Sequence, residues 1–199
     1  MKVIFDFLSY RRVTEGDAEL LMQWRTAPHV AAHMLTQIAP DLEKQVRWIQ
    51  SCDARKDFDH RVFCIEGKDA GYCSITVTDP AQKIGQLGVY LGDLSTPRSL
   101  SMYNFLGTLN HAFFTMGLKK IINKVLNSNE RTVILQRFNG YTIMNSEVAP
   151  EADVADSKQV IWFELTRESW LTFRAKFDYD KDWGGNPTGQ MPSPNGEIS

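Results

Sequence analysis

This sequence predicts an α/β fold: a mixed, mostly antiparallel sheet of about six to seven strands flanked by helices. Two patterns carry that expectation. Residues 61–66, 71–78 and 85–92 are successive strand-like runs separated by turn signals, which read as an antiparallel meander ending in a central strand. Residues 85–141 then parse as strand, loop, long amphipathic helix, strand, capped short helix and turn. A third observation sets the scale: 199 residues, 43% hydrophobic and 23% charged, suit one domain with a full core.

In chain order, residues 8–14 make a first strand. Glu15-Gly16-Asp17 breaks it and can cap a helix over 18–26, on which Leu20, Leu21 and Trp24 share a face. Pro28 stops that helix. Residues 29–38 form a less regular connection with room for a short helix. Pro40-Asp41 opens a cleaner one, where Leu42, Val46, Ile49 and Cys52 face a sheet and Glu43, Lys44 and Arg47 face water. Gly67-Lys68-Asp69 is the hairpin turn between the first two meander strands, with Glu66 a surface residue before it, and Asp79-Pro80 ends the second. The helix after Arg98 carries Met102, Phe105, Leu106, Leu109, Phe113 and Met116 on one stripe and ends at Gly117. Its His111 reads as a packed helix residue. A strand over 119–126 leads to Asn127-Ser128-Asn129, which caps a helix over 130–138, and Asn139-Gly140 closes that helix in a left-handed turn. Residues 141–148 and 159–166 are closing strands, and a helix with Trp170, Leu171 and Phe173 begins at Arg167. The domain is expected to span residues 1–177, and 178–199 reads as a polar tail, flexible or lightly docked.

Several function classes fall away. The formal net charge is −2, the pI is about 6.1, and no Lys/Arg block marks a nucleic-acid footprint. Cys52, Cys64 and Cys73 form no CxxC and read as reduced thiols of a cytoplasmic protein, Cys64 and Cys73 being neighbours on the hairpin. No apolar stretch approaches the ~20 residues that cross a bilayer, so no membrane partner is expected, and the N-terminus lacks a signal-peptide pattern. No third ligand follows His29 and His33, so no metal is expected. No GxSxG elbow supports a hydrolase.

A loop that enters a helix directly after a strand gathers free backbone N–H groups and the positive end of a helix dipole at one point, which suits a phosphate. Around that unit the sequence resembles the GCN5-related N-acetyltransferase (GNAT) superfamily over about residues 8–166. Four stretches carry the resemblance. They are Thr14-Glu15-Gly16-Asp17-Ala18 with Gln23-Trp24-Arg25-Thr26 and Pro28; Gly88-Val89-Tyr90-Leu91-Gly92; Leu118-Lys119-Lys120-Ile121 through Asn127-Ser128-Asn129; and residues 135–141 with their Gly140-Tyr141 turn. The first is most similar to the amino-sugar and ribosomal-protein acetyltransferase branch. Trp24-Arg25 and Tyr90-Leu91-Gly92-Asp93 resemble enzymes that acetylate nucleotide-linked 4-amino sugars.

The resemblance implies acetyl-CoA as co-substrate, lying where the central strand and the next strand splay apart. It puts the backbone of Val89 and Tyr90 at the acetyl end, Arg98, Ser99, Leu100, Ser101 and Met102 at the pyrophosphate, and Asn129 beside the pantetheine. Trp24, Arg25 and Met34 would line the acceptor side, Trp24 reading equally as core. Two departures matter. The family's Arg/Gln-x-x-Gly-x-Gly/Ala loop reads Arg98-Ser99-Leu100-Ser101-Met102-Tyr103, a degenerate form. The Ser101 hydroxyl can donate to phosphate, whereas the Tyr103 ring would tend to sit where the diphosphate lies unless it swings away within its rotamer limits. Gln136 stands where many relatives carry a Tyr acid, and an amide can only hydrogen-bond. Catalytic acid and base are therefore unassigned, with Asp93 and Gln136 the two candidates; Asp93 would need a raised pKa or a bridging water to act as base, and otherwise reads as a solvated loop residue.

The expected function is acetyl-CoA-dependent N-acetylation of a small-molecule primary amine, a nucleotide-linked amino sugar in first place, with a polypeptide N-terminus or an antibiotic amine the other acceptors. Edge strands offer a route to a homodimer. The alternative is a GNAT-fold binding module that has lost acetyl-CoA competence.

Overall fold

In the computed structural model, which describes residues 7–145, 160–177 and 179–188, the strand-like runs build seven strands, the third of them buried on both faces over Ala70–Ile75. They are β1 (Leu8–Arg12), β2 (Phe58–Ile65), β3 (Lys68–Asp79), β4 (Ile84–Leu91), β5 (Lys120–Leu126), β6 (Thr142–Ile143) and β7 (Val160–Thr166). One sheet holds them in the order β1-β2-β3-β4-β5-β7-β6, with β4 in the middle. Every neighbouring pair is antiparallel except β4 and β5. The predicted mixed, mostly antiparallel sheet is the observed one.

Its faces differ. Val62, Cys64 and Tyr72 join Leu21, Trp24 and Ile49 in a small core beneath α1 (Ala18–Thr26) and α3 (Leu42–Asp53), while α2 (Pro28–Ala31) is a single turn between those helices. Phe63, Cys73 and Ile75 alternate to the opposite face and meet Phe105, Leu109 and Phe113, mainly from α4 (Ser101–Asn110). Cys64 and Cys73 thus lie on opposite faces, opposite Asp69 and Arg61, and are not the hairpin neighbours the sequence suggested; all three cysteines are free and buried. The hairpin turn is Glu66-Gly67, both at positive φ (51° and 74°), so Lys68 and Asp69 already belong to β3. In α3, Ile49 and Cys52 are buried but Leu42, expected on the same face, stays exposed. Two further helices, α5 (Glu130–Phe138) and α6 (Arg167–Arg174), begin where the sequence put them, Asn129 capping α5 as expected by accepting from Thr132 N–H and Thr166 capping α6 by accepting from Ser169 N–H. Residues 141–148 were expected to pair as a longer strand; β6 has two residues, and 146–148 lie outside the described residues.

The C-terminal segment departs furthest from expectation. Tyr179 and Trp183 are each 4% exposed and belong to the main core. The reason lies on α4, whose buried Thr108 and Asn110 need partners. Trp183 Nε1 donates to Thr108 Oγ1 at 3.2 Å, and Asn110 Nδ2 donates to the Lys181 carbonyl at 3.1 Å. Residues 179–188 are therefore docked, not a free tail; 189–199 lie outside the described residues.

Arg11 ties β1 to two other elements. Its guanidinium donates to both oxygens of Asp17 (2.9 and 2.7 Å) and both oxygens of Asp69 (2.8 and 2.6 Å). Burial pushes the Asp17 carboxyl up, but the bonds from Arg11 and Thr14 outweigh it and leave it below its ordinary value; Arg11 also lowers Asp69. A carboxyl lowered by folding stabilises the protein above the unfolded value near pH ~4 and loses that contribution as pH falls. Asp17→Asn is accordingly expected to cost about 1–3 kcal/mol at pH 7 and much less at pH 3, as read from urea melts at the two pH values.

Candidate active site

The two parallel strands begin side by side. Ile84 pairs with Lys120 and Gly85 with Ile121, and there the pairing stops. At the next level Leu87 N–H donates to the Asn123 side-chain oxygen at 2.9 Å instead of to a backbone carbonyl. Asn123 Nδ2 in turn donates to Tyr141 Oη at 3.2 Å. Asn123 is 3% exposed, and its amide is a wedge that holds β5 a side chain's length from β4. Beyond it the strands diverge around a cavity of about 1070 Å³.

N–H and C=O of one strand residue point to the same side, and the side alternates. Since Leu87 points toward β5, Val89 also offers its backbone to the gap, while Gly88 and Tyr90 pair with Ser74 and Tyr72 of β3. Tyr90 therefore brings its ring rather than its backbone, stacked on Tyr72 with centroids 5.3 Å apart.

At one end of the cavity, a 3-10 turn (Arg98–Leu100) feeds α4. Arg98 and Ser101 line the space, with Lys124, Asn129 and Arg131 opposite. Ser101 Oγ donates to the Arg98 carbonyl at 2.7 Å, so its proton is not offered to a ligand as the sequence suggested. Ser99, Leu100 and Met102 present no side chain to the cavity, and Met102 packs on the core. What this segment brings is the backbone N–H groups of a helix entry. Tyr103 is the main correction. Two residues from Ser101 is about 200° around a helix. Its ring therefore lies on the far side, edge-on to Tyr179 at 5.6 Å, and leaves the cavity open. Tyr103→Ala is expected to leave CoA affinity within about threefold while costing about 1–3 kcal/mol of stability through lost packing; calorimetric titration and a denaturant melt read the two effects.

At the other end, Arg25 and Met34 line the cavity but Trp24 does not. Trp24 is 8% exposed, seated in the small core under Gly92, whose missing side chain makes room for the indole. Arg25 donates through Nη2 to the Thr36 carbonyl and to Thr36 Oγ1, while its Nη1 is buried without a hydrogen-bond partner. Among the described residues two carboxylates line the cavity, Asp41 and Asp93. Asp41 caps α3 and pairs with Lys44 at 3.3 Å. Asp93 accepts from Ser95 N–H at 2.9 Å and Ser95 Oγ at 2.6 Å, and these bonds lower its pKa. That is the wrong direction for a general base, and Asp93 is a turn cap. Gln136 is 3% exposed, lines the cavity and has no partner for Oε1, so it remains a hydrogen-bonding group only.

The sequence reading missed Asn123, Tyr72 and Ser74. One signal was present: in Ile121, Asn123, Val125 the inward positions of β5 contain a lone amide.

The family model for the acetyltransferase (GNAT) domain matches residues 8–142, well over half of the chain. The protein belongs to the GNAT acetyltransferase family. Solved structures share this GNAT fold at low identity. The chain is similar to an uncharacterized protein from Bacillus halodurans (TM-score 0.71, 15% identity, covering 86% of this chain and 90% of that one). It is similar to the spermidine N-acetyltransferase of Vibrio cholerae in complex with CoA and spermine (TM-score 0.71, 12% identity, 83% and 98% covered). It is also similar to apo FdhC, a nucleotide-linked sugar GNAT (TM-score 0.69, 14% identity, 86% and 93% covered). No curated protein sequence matches this GNAT chain significantly.

Proposed function

We propose that this GNAT protein transfers an acetyl group from acetyl-CoA to the amine of a nucleotide-linked amino sugar. The cavity fits the co-substrate. Backbone groups at the start of α4, with Arg98, suit a pyrophosphate; Val89 N–H, facing the gap, suits the thioester carbonyl; Gln136 offers an amide to the sulfur end.

The observation that carries the acceptor class is the buried, unpartnered Nη1 of Arg25 on a cavity wall whose carboxylates are already engaged. A polycation, such as the spermine in the Vibrio cholerae structure, would meet like charge at Arg25 and no free carboxylate. A diphosphate-linked sugar supplies the anion Arg25 lacks, and FdhC, of the same fold, is a nucleotide-linked sugar GNAT. Trp48, on the same wall, offers a partly exposed ring for a base.

The test is calorimetric titration with acetyl-CoA and CoA, followed by an amine screen led by UDP- and dTDP-linked amino sugars with spermidine as the contrast. Micromolar CoA binding and turnover of a nucleotide-linked amine are the expected results. Turnover of polyamine alone would refute the acceptor class. No binding at millimolar CoA would establish the second reading, a non-catalytic GNAT-fold module, which the absence of an ionisable group at Gln136 favours.

A further inference from the structure

A histidine lies behind the cavity wall that the acetyl-transfer reading does not use. His60 of β2 is 6% exposed, enclosed by the rings of Trp48 and Phe58 at 5.6 and 5.1 Å. Its Nδ1 is 3.2 Å from Tyr72 Oη, the two forming a hydrogen bond. Tyr72 lines the cavity and is 7% exposed.

The sheet register locates this pair. His60 is opposite Ser74, and Ser74 is opposite Gly88. A side chain at Gly88 would sit 2.7 Å from Ser74 Oγ, so the glycine keeps that spot clear. The phenol leans from position 72 toward this level, one residue from Val89, whose backbone faces the gap. His29, by contrast, bonds the Gly92 carbonyl through Nε2 at 3.2 Å, at the far end of β4.

We propose that Tyr72, backed by His60, receives the proton of the attacking amine. This rests on the acetyltransferase reading above. The amine nitrogen forms a bond to the thioester carbonyl carbon, and the C–S bond breaks with its electron pair leaving on the thiolate. The nitrogen gives its proton to Tyr72 Oη as the phenolic proton passes to His60 Nδ1, with the ring's other proton on Nε2. The imidazolium then releases its proton to solvent, and the thiolate is protonated there. Tyr72 is the catalytic residue and His60 the positioning residue behind it.

The charged groups around His60 are Asp59 and Arg61 on its own strand, Asp53 from α3 and Asp17 from the turn before α1. Burial is the largest influence and lowers its pKa below the ordinary histidine value, the carboxylates opposing. His60 is thus a neutral acceptor at pH 7, and the relay fails only on the acid side of that ordinary value.

The experiment measures kcat, KM and the pH profile of acetyl transfer to a dTDP-linked 4-amino sugar, with CoA affinity read by calorimetry. Tyr72→Phe keeps the ring stack and is expected to lower kcat on the order of 100-fold or more, with CoA affinity within about threefold. His60→Gln is expected to lower kcat and remove the acid limb of the profile, which a purely structural role would not move. A Tyr72→Phe enzyme within about threefold of the native kcat overturns the proposal. So does an acid limb that survives in His60→Gln and disappears in His29→Gln. A native protein that turns over no amine refutes the acetyltransferase reading and the relay with it, whereas a native enzyme insensitive to Tyr72→Phe refutes the relay alone.

Discussion

Asn123→Leu is expected to lower stability by about 2–5 kcal/mol and to abolish measurable CoA binding. Leucine branches at the same atom and is somewhat larger, so none of this is a cavity effect. Two polar groups lose their partners at once, the Leu87 N–H and the Tyr141 hydroxyl, both in the protein interior. Each buried unsatisfied group costs about 1–3 kcal/mol. The relaxation that best repairs the loss draws β5 toward β4, which closes the gap at its narrow end. Asn123→Asp keeps an acceptor for Leu87 N–H and lets the tyrosine hydroxyl donate to it, so it should retain more CoA binding than the leucine variant. Urea melts and calorimetric titration of the two variants read both effects. A leucine variant that binds CoA like the native protein would show that the wedge does not hold the cleft open.

Arg25→Met is expected to raise KM for a nucleotide-linked amino sugar on the order of 30- to 1,000-fold, about 2–4 kcal/mol, with kcat and CoA affinity nearly unchanged. Methionine keeps an unbranched aliphatic stem at this cavity wall but removes the charge. A small uncharged amine used as acceptor should respond within about threefold, because it makes no use of the guanidinium. Steady-state kinetics with the two acceptors side by side checks the difference, and an equal loss for both would make Arg25 structural.

Much of the fold was legible because its signals are local. The 18–26 helix ends before Pro28 as its sequence predicts, although the Asp17 carboxylate bonds Thr14 and Arg11 instead of capping it; the 130–138 helix is set by Asn129 and Gly140, and the meander by strand runs between turn residues. Each signal involves residues within four or five positions of one another. The family, the central place of β4 and the phosphate-type helix entry follow from the order of such signals. Within the site, Arg25, Val89, Arg98 and Asn129 were legible as positions through the resemblance, and all four line the cavity.

The tertiary structure alone decided which neighbour on the chain faces which way. Trp24 is core and Arg25 is cavity, though they are adjacent. Ser101 faces the cleft, and Tyr103, two residues later, faces Tyr179. Residues 179–188 read as a polar tail because composition averages over a window, and the aromatic rings that matter are single residues. The partners of Trp183 and of the Lys181 carbonyl, Thr108 and Asn110, lie about seventy positions earlier, on a helix whose apolar stripe concealed the buried polar side chains beside it. The same holds for Asn123, whose role exists only once Leu87 and Tyr141 are brought to it. Helix and strand periods are written between near neighbours, whereas the partner of a buried polar group is chosen by the fold, and in this protein those partners open the cleft and seal the core behind it.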